Sequence, residues 1–180
     1  MRVVAGTAGG LRLVAPDGQA TRPTSDRARE ATFNALGSLG VVEDATVLDL
    51  FAGSGAMGIE ALSRDAVHAT FVDNDERARR AIRANLDSTK LVDRATVVAA
   101  DVFTFLSTAG RRFDLAVLDP PYTFDRWGDL LAALRAEVAV LESNRPIDPG
   151  DGWAVVRSRR YGTTVVTICR RSSDLQENST

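Results

Sequence analysis

Four aspartates each stand at the end of a short apolar run: Asp49 in LDLFAGSG, Asp73 in VDND, Asp101 in AAD and Asp119 in LDPPY. Between the first two, Gly53-Ser54-Gly55-Ala56-Met57-Gly58 has the form G-x-G-x-x-G, and Asp73 follows Gly53 by twenty residues. That is the spacing of a dinucleotide-binding fingerprint. Glycines there let the backbone turn tightly and approach a ligand closely. With Ser54 inside the loop and Asn74 beside it, Asp73 is placed to accept hydrogen bonds from ribose hydroxyls. NAD is held by this geometry, and so are other adenosine-containing cofactors. A carboxylate at Asp49 suits a cationic ligand better than a pyrophosphate, and Asp101, followed by Val102, has an acceptor for an adenine amino group. An acidic ring of Asp49, Asp73 and Asp101 therefore fits S-adenosylmethionine, whose amino and sulfonium groups are positive. Any one such carboxylate reads more simply as a cap on the following helix; four on one rim point to a ligand.

These acids need a scaffold that gathers them. Strand-like and helix-like stretches alternate from residue 46 to 142, the signature of a doubly wound, mostly parallel sheet with helices on both faces. In that architecture ligands bind beyond the carboxyl ends of the strands, where the strand order reverses. Strands are expected over 45–51, 68–73, 95–101, 113–119 and 138–143, with helices over 57–64, 75–89, 102–108 and 126–137. Residues 152–160 and 162–171 read as a closing antiparallel hairpin around Tyr161 and Gly162, giving seven strands. An earlier helix starts at a cap on Thr24 or Ser25 and stops at Gly37. Residues 1–15 read as a small β-hairpin around GTAGG. The expected organisation is an N-terminal hairpin extension over 1–20, a Rossmann-like α/β domain over 21–171 and a disordered polar tail over 172–180.

The chain has 180 residues, enough for one domain with a real core. It lacks an apolar run of about 18 residues, so no membrane span is expected. Its single cysteine, Cys169, lies in TTVVTIC and reads as a buried thiol. A cytoplasmic protein fits these features. The net charge of −2 gives no global basic field, but arginines cluster over 22–29, 157–160 and 170–171 and permit a basic face. His68, the sole histidine, starts a strand away from the rim and reads as structural. No metal site is expected.

The stretch LDPPYTF adds what the glycine loop lacks. Proline cannot donate to a sheet ladder, so the strand must end before Pro120 and Pro121. With this motif the chain resembles the class I S-adenosylmethionine-dependent methyltransferases that carry [D/N]-P-P-[Y/F] and methylate exocyclic amines of planar groups. The resemblance implies that Asp119 and the Pro120 carbonyl accept from the target NH2. That draws its delocalised lone pair toward the methyl group, while Tyr122 stacks on a flipped base. The block RPTSDRAREATFNAL, followed by VLDLFAGSGAMGIEALSR, closely resembles the RsmD family of 16S ribosomal RNA guanine-N2 methyltransferases. That resemblance runs from residue 1 to about 171. It implies a methyl donor held by Asp49, Phe51, Gly53, Ser54, Gly55, Asp73, Asn74, Asp101, Val102 and Asp119. It implies RNA contacts from Arg12, Arg22, Arg27, Arg29 and Tyr122. The partner it implies is 16S rRNA in the small ribosomal subunit or an assembly intermediate, approached by a monomer. The family usually interleaves basic residues in the first hairpin; here GTAGGLRL has only Arg12, so weak binding to naked RNA is expected.

Other readings differ at named features. A DNA adenine-N6 or cytosine-N4 methyltransferase would share the motif, but such enzymes usually carry an added recognition domain. A protein-glutamine methyltransferase would favour asparagine at 119 and a helical N-terminal domain. An NAD-dependent oxidoreductase would share the glycine loop, but nothing after VDND looks like a nicotinamide site. A silent RNA-binding protein would have no need of an intact DPPY.

Overall fold

The computed structural model describes residues 1–17 and 26–172. Its chain order is α1 (Asp26–Ser38), β1 (Thr46–Leu50), α2 (Ala56–Ser63), β2 (His68–Asp73), α3 (Glu76–Thr89), β3 (Ala95–Ala99), α4 (Val102–Thr108), β4 (Phe113–Leu118), α5 (Trp127–Ala133), β5 (Ala136–Ser143), β6 (Trp153–Tyr161) and β7 (Thr164–Arg171). One seven-stranded sheet runs β3-β2-β1-β4-β5-β7-β6. Its first five strands are parallel, and β7 runs antiparallel to both β5 and β6. The chain winds outward from β1 through β2 to β3 and returns to start β4 on the other side of β1. The strand order therefore reverses between β1 and β4, where ligands bind in such sheets.

The central strands are apolar on both sides, as expected of parallel strands covered by helices. Phe33 and Leu36 of α1, Ile59 of α2 and Ile82 of α3 pack with Val47, Leu115, Val140 and Ile168 on one face. On the other face Leu106 of α4 and Leu130 of α5 pack with Leu48, Leu118, Trp153 and Cys169. Cys169 is buried, and burial pushes its thiol up to about 11.

Three expected elements differ. α5 stops at Ala133 rather than at 137, and β5 starts at Ala136. The ALRAE stretch has good helix formers, but Phe113 N–H bonds to the Arg135 carbonyl at 2.9 Å and Phe113 pairs with Ala136. Strand pairing at the sheet centre outweighs a local preference of a few tenths of a kcal/mol per residue. The N-terminal hairpin is reduced to a single bridge between Arg2 and Arg12. Bonds from Val3 N–H to the Leu11 carbonyl, Gly10 N–H to the Val3 carbonyl and Leu13 N–H to the Met1 carbonyl, at 2.9, 2.8 and 3.1 Å, still close it across the turn. Other donors bond to α2: Val4 and Ala5 N–H donate to the Glu60 carboxylate at 2.7 and 3.1 Å, and Ala8 N–H to Ser63 Oγ at 2.9 Å. Gly6, at φ +81°, lies so close to α2 that a Cβ there would sit 1.8 Å from the Ser63 carbonyl oxygen. The expected caps Thr24 and Ser25, the residue-20 boundary and the tail beyond Ser172 lie outside the described residues.

Among the described residues no helix is long and apolar enough to cross a membrane. None of them form a cluster of metal-ligating side chains.

Candidate functional site

Leu50 pairs with Leu118, so β1 and β4 end level and their following loops leave the sheet side by side. The loop after β1 turns through four consecutive constraints. Phe51 takes φ +57°, a costly conformation for a non-glycine residue. Gly53 and Gly55 follow at +55° and +75°. Gly55 N–H donates to the Ala52 carbonyl at 2.7 Å, which closes the turn into α2. A Cβ at Gly53 would meet only the Phe51 carbonyl oxygen, at 3.8 Å, so the loop backbone faces open space there. Such a backbone lets a ligand come close.

Asp73 ends β2 and ties this loop down. Its Oδ2 accepts from Gly53 N–H at 2.9 Å, and its Oδ1 accepts from Asp75 N–H at 2.9 Å. Each carboxylate oxygen has a second lone pair, so the group can hold the loop and still accept from a diol. Asn74 beside it is exposed. Ser54 turns the other way: its hydroxyl donates to Met1 Sδ at 3.3 Å, and its carbonyl accepts from Asn85 Nδ2 at 2.8 Å. Asn85 also binds Val14 through both its amide oxygen and its nitrogen, at 2.8 and 2.9 Å, so one α3 side chain bridges the N-terminal segment and the glycine loop.

Asp49 sits inside β1 rather than in the loop, and only 2% of it is exposed. Its Oδ2 accepts from Gly58 N–H in the first turn of α2 at 2.9 Å. Burial pushes its carboxyl up to about 8, with the nearby Asp73 charge adding to the rise and the Gly58 bond opposing it. From about pH 4 to about pH 8 the folded state therefore keeps a proton that the unfolded chain has released. Stability should fall as pH rises through that window and level off above it. Urea midpoints of the wild type and Asp49→Asn, compared at about pH 5 and about pH 9, should diverge in favour of the variant at the higher pH. Parallel pH profiles would contradict the buried protonated state.

Gly58 shows why α2 needs glycine at that point. A Cβ there would lie 2.3 Å from Phe71 Cε1 and 3.1 Å from Asp49 Oδ2. Phe71 is fully buried and cannot swing away. Gly58→Ala should destabilise the fold, since overpacking costs about 1–3 kcal/mol and the helix-propensity gain is at most about 1. A melting temperature at or above that of the wild type would refute the clash.

Asp101 is exposed at the rim and caps α4, its Oδ1 accepting from Phe103 and Thr104 N–H at 2.9 and 3.3 Å. Val102 is buried beneath it. In the loop after β4, Asp119 is half-buried and Pro120 buried. The Tyr122 hydroxyl is bonded to Thr164 Oγ1 at the start of β7, at 3.1 Å, which fixes the ring. Phe124 then reaches back over the site. Its ring lies 5.4 Å from Phe51, edge to face, and 6.5 Å from Phe103, stacked, while Arg126 lies over Phe103 at 4.0 Å. This aromatic group joins the loops after β1 and β4 to the first turn of α4. Of its members the sequence reading named only Phe51, because rings far apart in sequence carry no shared spacing.

The arginines expected to contact phosphate part ways. Arg12 and Arg27 are exposed, and Arg22 lies outside the described residues. Arg29 has to be corrected: it is fully buried, its guanidinium bonded to the Arg2 carbonyl and to Asp26 at 2.9 Å, with Glu60 3.6 Å away. It anchors α1 to α2 and the N-terminal segment, and it does not reach solvent.

The family described as Conserved hypothetical protein 95 matches residues 1–170. The YlbH protein of Bacillus subtilis is 36% identical over 95% of this chain and 99% of its own length. Ribosomal RNA small subunit methyltransferase D of Haemophilus influenzae is 30% identical over 90% of this chain and 89% of its own. Among solved structures, that of the yhhF protein of Escherichia coli superposes with a TM-score of 0.83 at 31% identity, covering 95% of this chain and 97% of that one.

Proposed function

The chain belongs to the RsmD family of ribosomal RNA methyltransferases, and on that premise we propose that it methylates the exocyclic N2 amine of a guanine in 16S rRNA of the small ribosomal subunit. The methyl donor is S-adenosylmethionine, which supplies an activated methyl on a sulfonium. One observation carries the reading: the Gly53–Asp73 contact and the Asp119–Tyr122 loop flank the same switch point between β1 and β4. An adenosine-binding loop and an amine-binding loop are thereby held on adjacent strands.

The donor fits this site. Gly53 and Gly55 give a backbone cradle, Asp73 an acceptor for the ribose, and Asp101 a rim carboxylate with Oδ2 unbonded among the described residues. Ser54, Asn74 and the Val102 backbone border that adenosine end. Asp119 would offer a carboxylate to the cationic end and Phe51 would close the side, while Asp49, buried and protonated, would support them from beneath through its bond to Gly58. In the transfer, the amine lone pair forms the N–C bond as the C–S bond breaks. The nitrogen becomes cationic and then releases a proton to solvent. Asp119 and the Pro120 carbonyl orient the NH2, and the Tyr122 ring stacks on the guanine. Positioning of this kind supplies most of the rate and needs no covalent enzyme intermediate. Arg12, Arg22 and Arg27 would contact phosphates. We propose a monomer acting on the subunit or an assembly intermediate.

Labelled donor, offered with unmodified small subunits, naked 16S rRNA and duplex DNA in parallel, tests this by nucleoside analysis. N2-methylguanosine from the subunits is the expected product. N6-methyladenine or N4-methylcytosine in the DNA would move the target to another amine and refute the guanine assignment.

A further inference from the structure

We propose that the groove between α1 and the edge strand β6 is a second RNA contact, in which Arg157 and Arg159 hold the phosphodiester backbone leading away from the target base. This rests on the reading that the Asp119–Tyr122 loop receives a base of an RNA. The groove has Ala31, Thr32 and Ala35 of α1 on one side and Arg157, Arg159 and Tyr161 of β6 on the other. Side chains two apart on a strand share a face, so these three β6 residues line it together, Arg157 and Arg159 about 7 Å apart along the strand. Small residues on α1 keep it open.

Topology links the groove to the site. β7 runs antiparallel to both β5 and β6, so β6 runs the same way as the parallel strands. Its carboxyl end therefore reaches the same rim as Asp119. There Tyr161 pairs with Thr164, and Thr164 Oγ1 is bonded to the Tyr122 hydroxyl. The groove thus starts one residue pair and one hydrogen bond from the base-stacking ring. From that point Arg159, opposite Val166, and Arg157, opposite Ile168, lead back along the edge.

Charge selects the occupant. Arg157 and Arg159 are exposed, and neither makes an ion pair or side-chain hydrogen bond among the described residues. Arg27, one turn before Ala31, is likewise exposed, with no ion pair among the described residues. Arg160 follows on the same strand, also exposed, whereas Arg77 pairs with Asp75, Arg80 with Glu76 and Arg126 with Asp129. Arg12, Arg83, Arg135 and Arg145 are exposed without an ion pair among the described residues but do not line the groove. On a chain of net charge −2, a strip of unneutralised guanidinium groups beside the site fits a polyanion. Planar guanidinium forks suit phosphate oxygens.

The test compares the double variant Arg157→Ala/Arg159→Ala with Arg157→Lys/Arg159→Lys. Binding to unmodified small subunits and to naked 16S rRNA is measured across a salt series, alongside calorimetric S-adenosylmethionine binding and melting temperature. Two lost contacts to a single strand should weaken RNA binding about tenfold and reduce the salt slope by about 1.4, with the lysine pair retaining the slope. Donor affinity and melting temperature should not change. If the double variant fails to fold, the single charge reversal Arg159→Glu replaces it with the same expected direction. Unchanged RNA affinity and slope would overturn the proposal. So would weakening on subunits with none on naked rRNA, which would mark an acidic ribosomal protein as the partner. Absence of N2-methylguanosine from the wild type would instead sink the guanine assignment, while the binding series would still decide the arginines.

Discussion

Asp119→Ala should lower kcat by about 10²–10³-fold while S-adenosylmethionine remains bound. The size follows from what is removed. A preorganised polar group aimed at the reacting atom is worth about 2.7–4 kcal/mol of transition-state stabilisation. Asp119 stands one residue beyond the end of β4 and is held by a buried proline on its carboxyl side. Its orientation is therefore set before substrate arrives. Asp119→Asn should lose much less, about tenfold, because a carboxamide oxygen still accepts from the amine. The pair distinguishes an acceptor from a base: a base would be lost equally in both variants. Single-turnover rates at saturating donor and subunit give the comparison. An alanine variant within a few-fold of the wild type would remove Asp119 from the chemistry.

Glu60→Ala should cost about 3–5 kcal/mol of folding stability, the penalty for removing one member of a buried ion pair. Few single changes in a domain of total stability about 5–15 kcal/mol would do more. Glu60 and Arg29 are both fully buried, 3.6 Å apart. The same carboxylate accepts from Val4 and Ala5 N–H and from Arg64 Nε at 2.7 Å. Removing it leaves the Arg29 guanidinium with Asp26 as its one ion-pair partner among the described residues and takes the acceptor from Val4, Ala5 and Arg64. Glu60→Gln keeps an acceptor oxygen and should fall between. Adding Arg29→Met to Glu60→Ala should recover part of the loss, since the buried charge that lost Glu60 is gone. Urea denaturation of the four proteins measures each step, and a Glu60→Ala loss below about 1 kcal/mol would show that the cluster does not hold α1 and α2 together.

The sheet was legible because its signals are local. Apolar runs ended by an acid or a glycine mark β1 to β4, and their alternation with helices implies parallel pairing. Asp73 was legible for the same reason: its distance from Gly53 is a property of one strand-loop-helix-strand unit. What failed depends on contacts between distant residues. Arg29 reads as surface because it lies in an arginine-rich helix start, and only the approach of Glu60 from α2 turns it inward. The N-terminal hairpin closes as the turn chemistry of GTAGG implies, but its docking on α2 through Val4, Ala5 and Ala8 is a contact between distant residues. α5 overran in the reading because helix formers continue past Ala133, while β4 recruits Ala136 into the sheet. The aromatic group around Phe124 and the groove along β6 are assembled from three or more elements each, and no window of sequence contains them.

The position of β6 has another consequence. Among the described residues it is an open edge of the sheet, and an open edge offers unpaired backbone groups to any other extended chain. It also exposes Val155 and Val156, at 51% and 43%. Two devices oppose stacking of copies there: the register slips between Val155 and Arg157, and charged side chains follow at once. The arginines beside the groove thus also protect solubility. Changing them to neutral residues removes a guard against edge-to-edge aggregation, whereas lysine, a residue natural edges favour, keeps it.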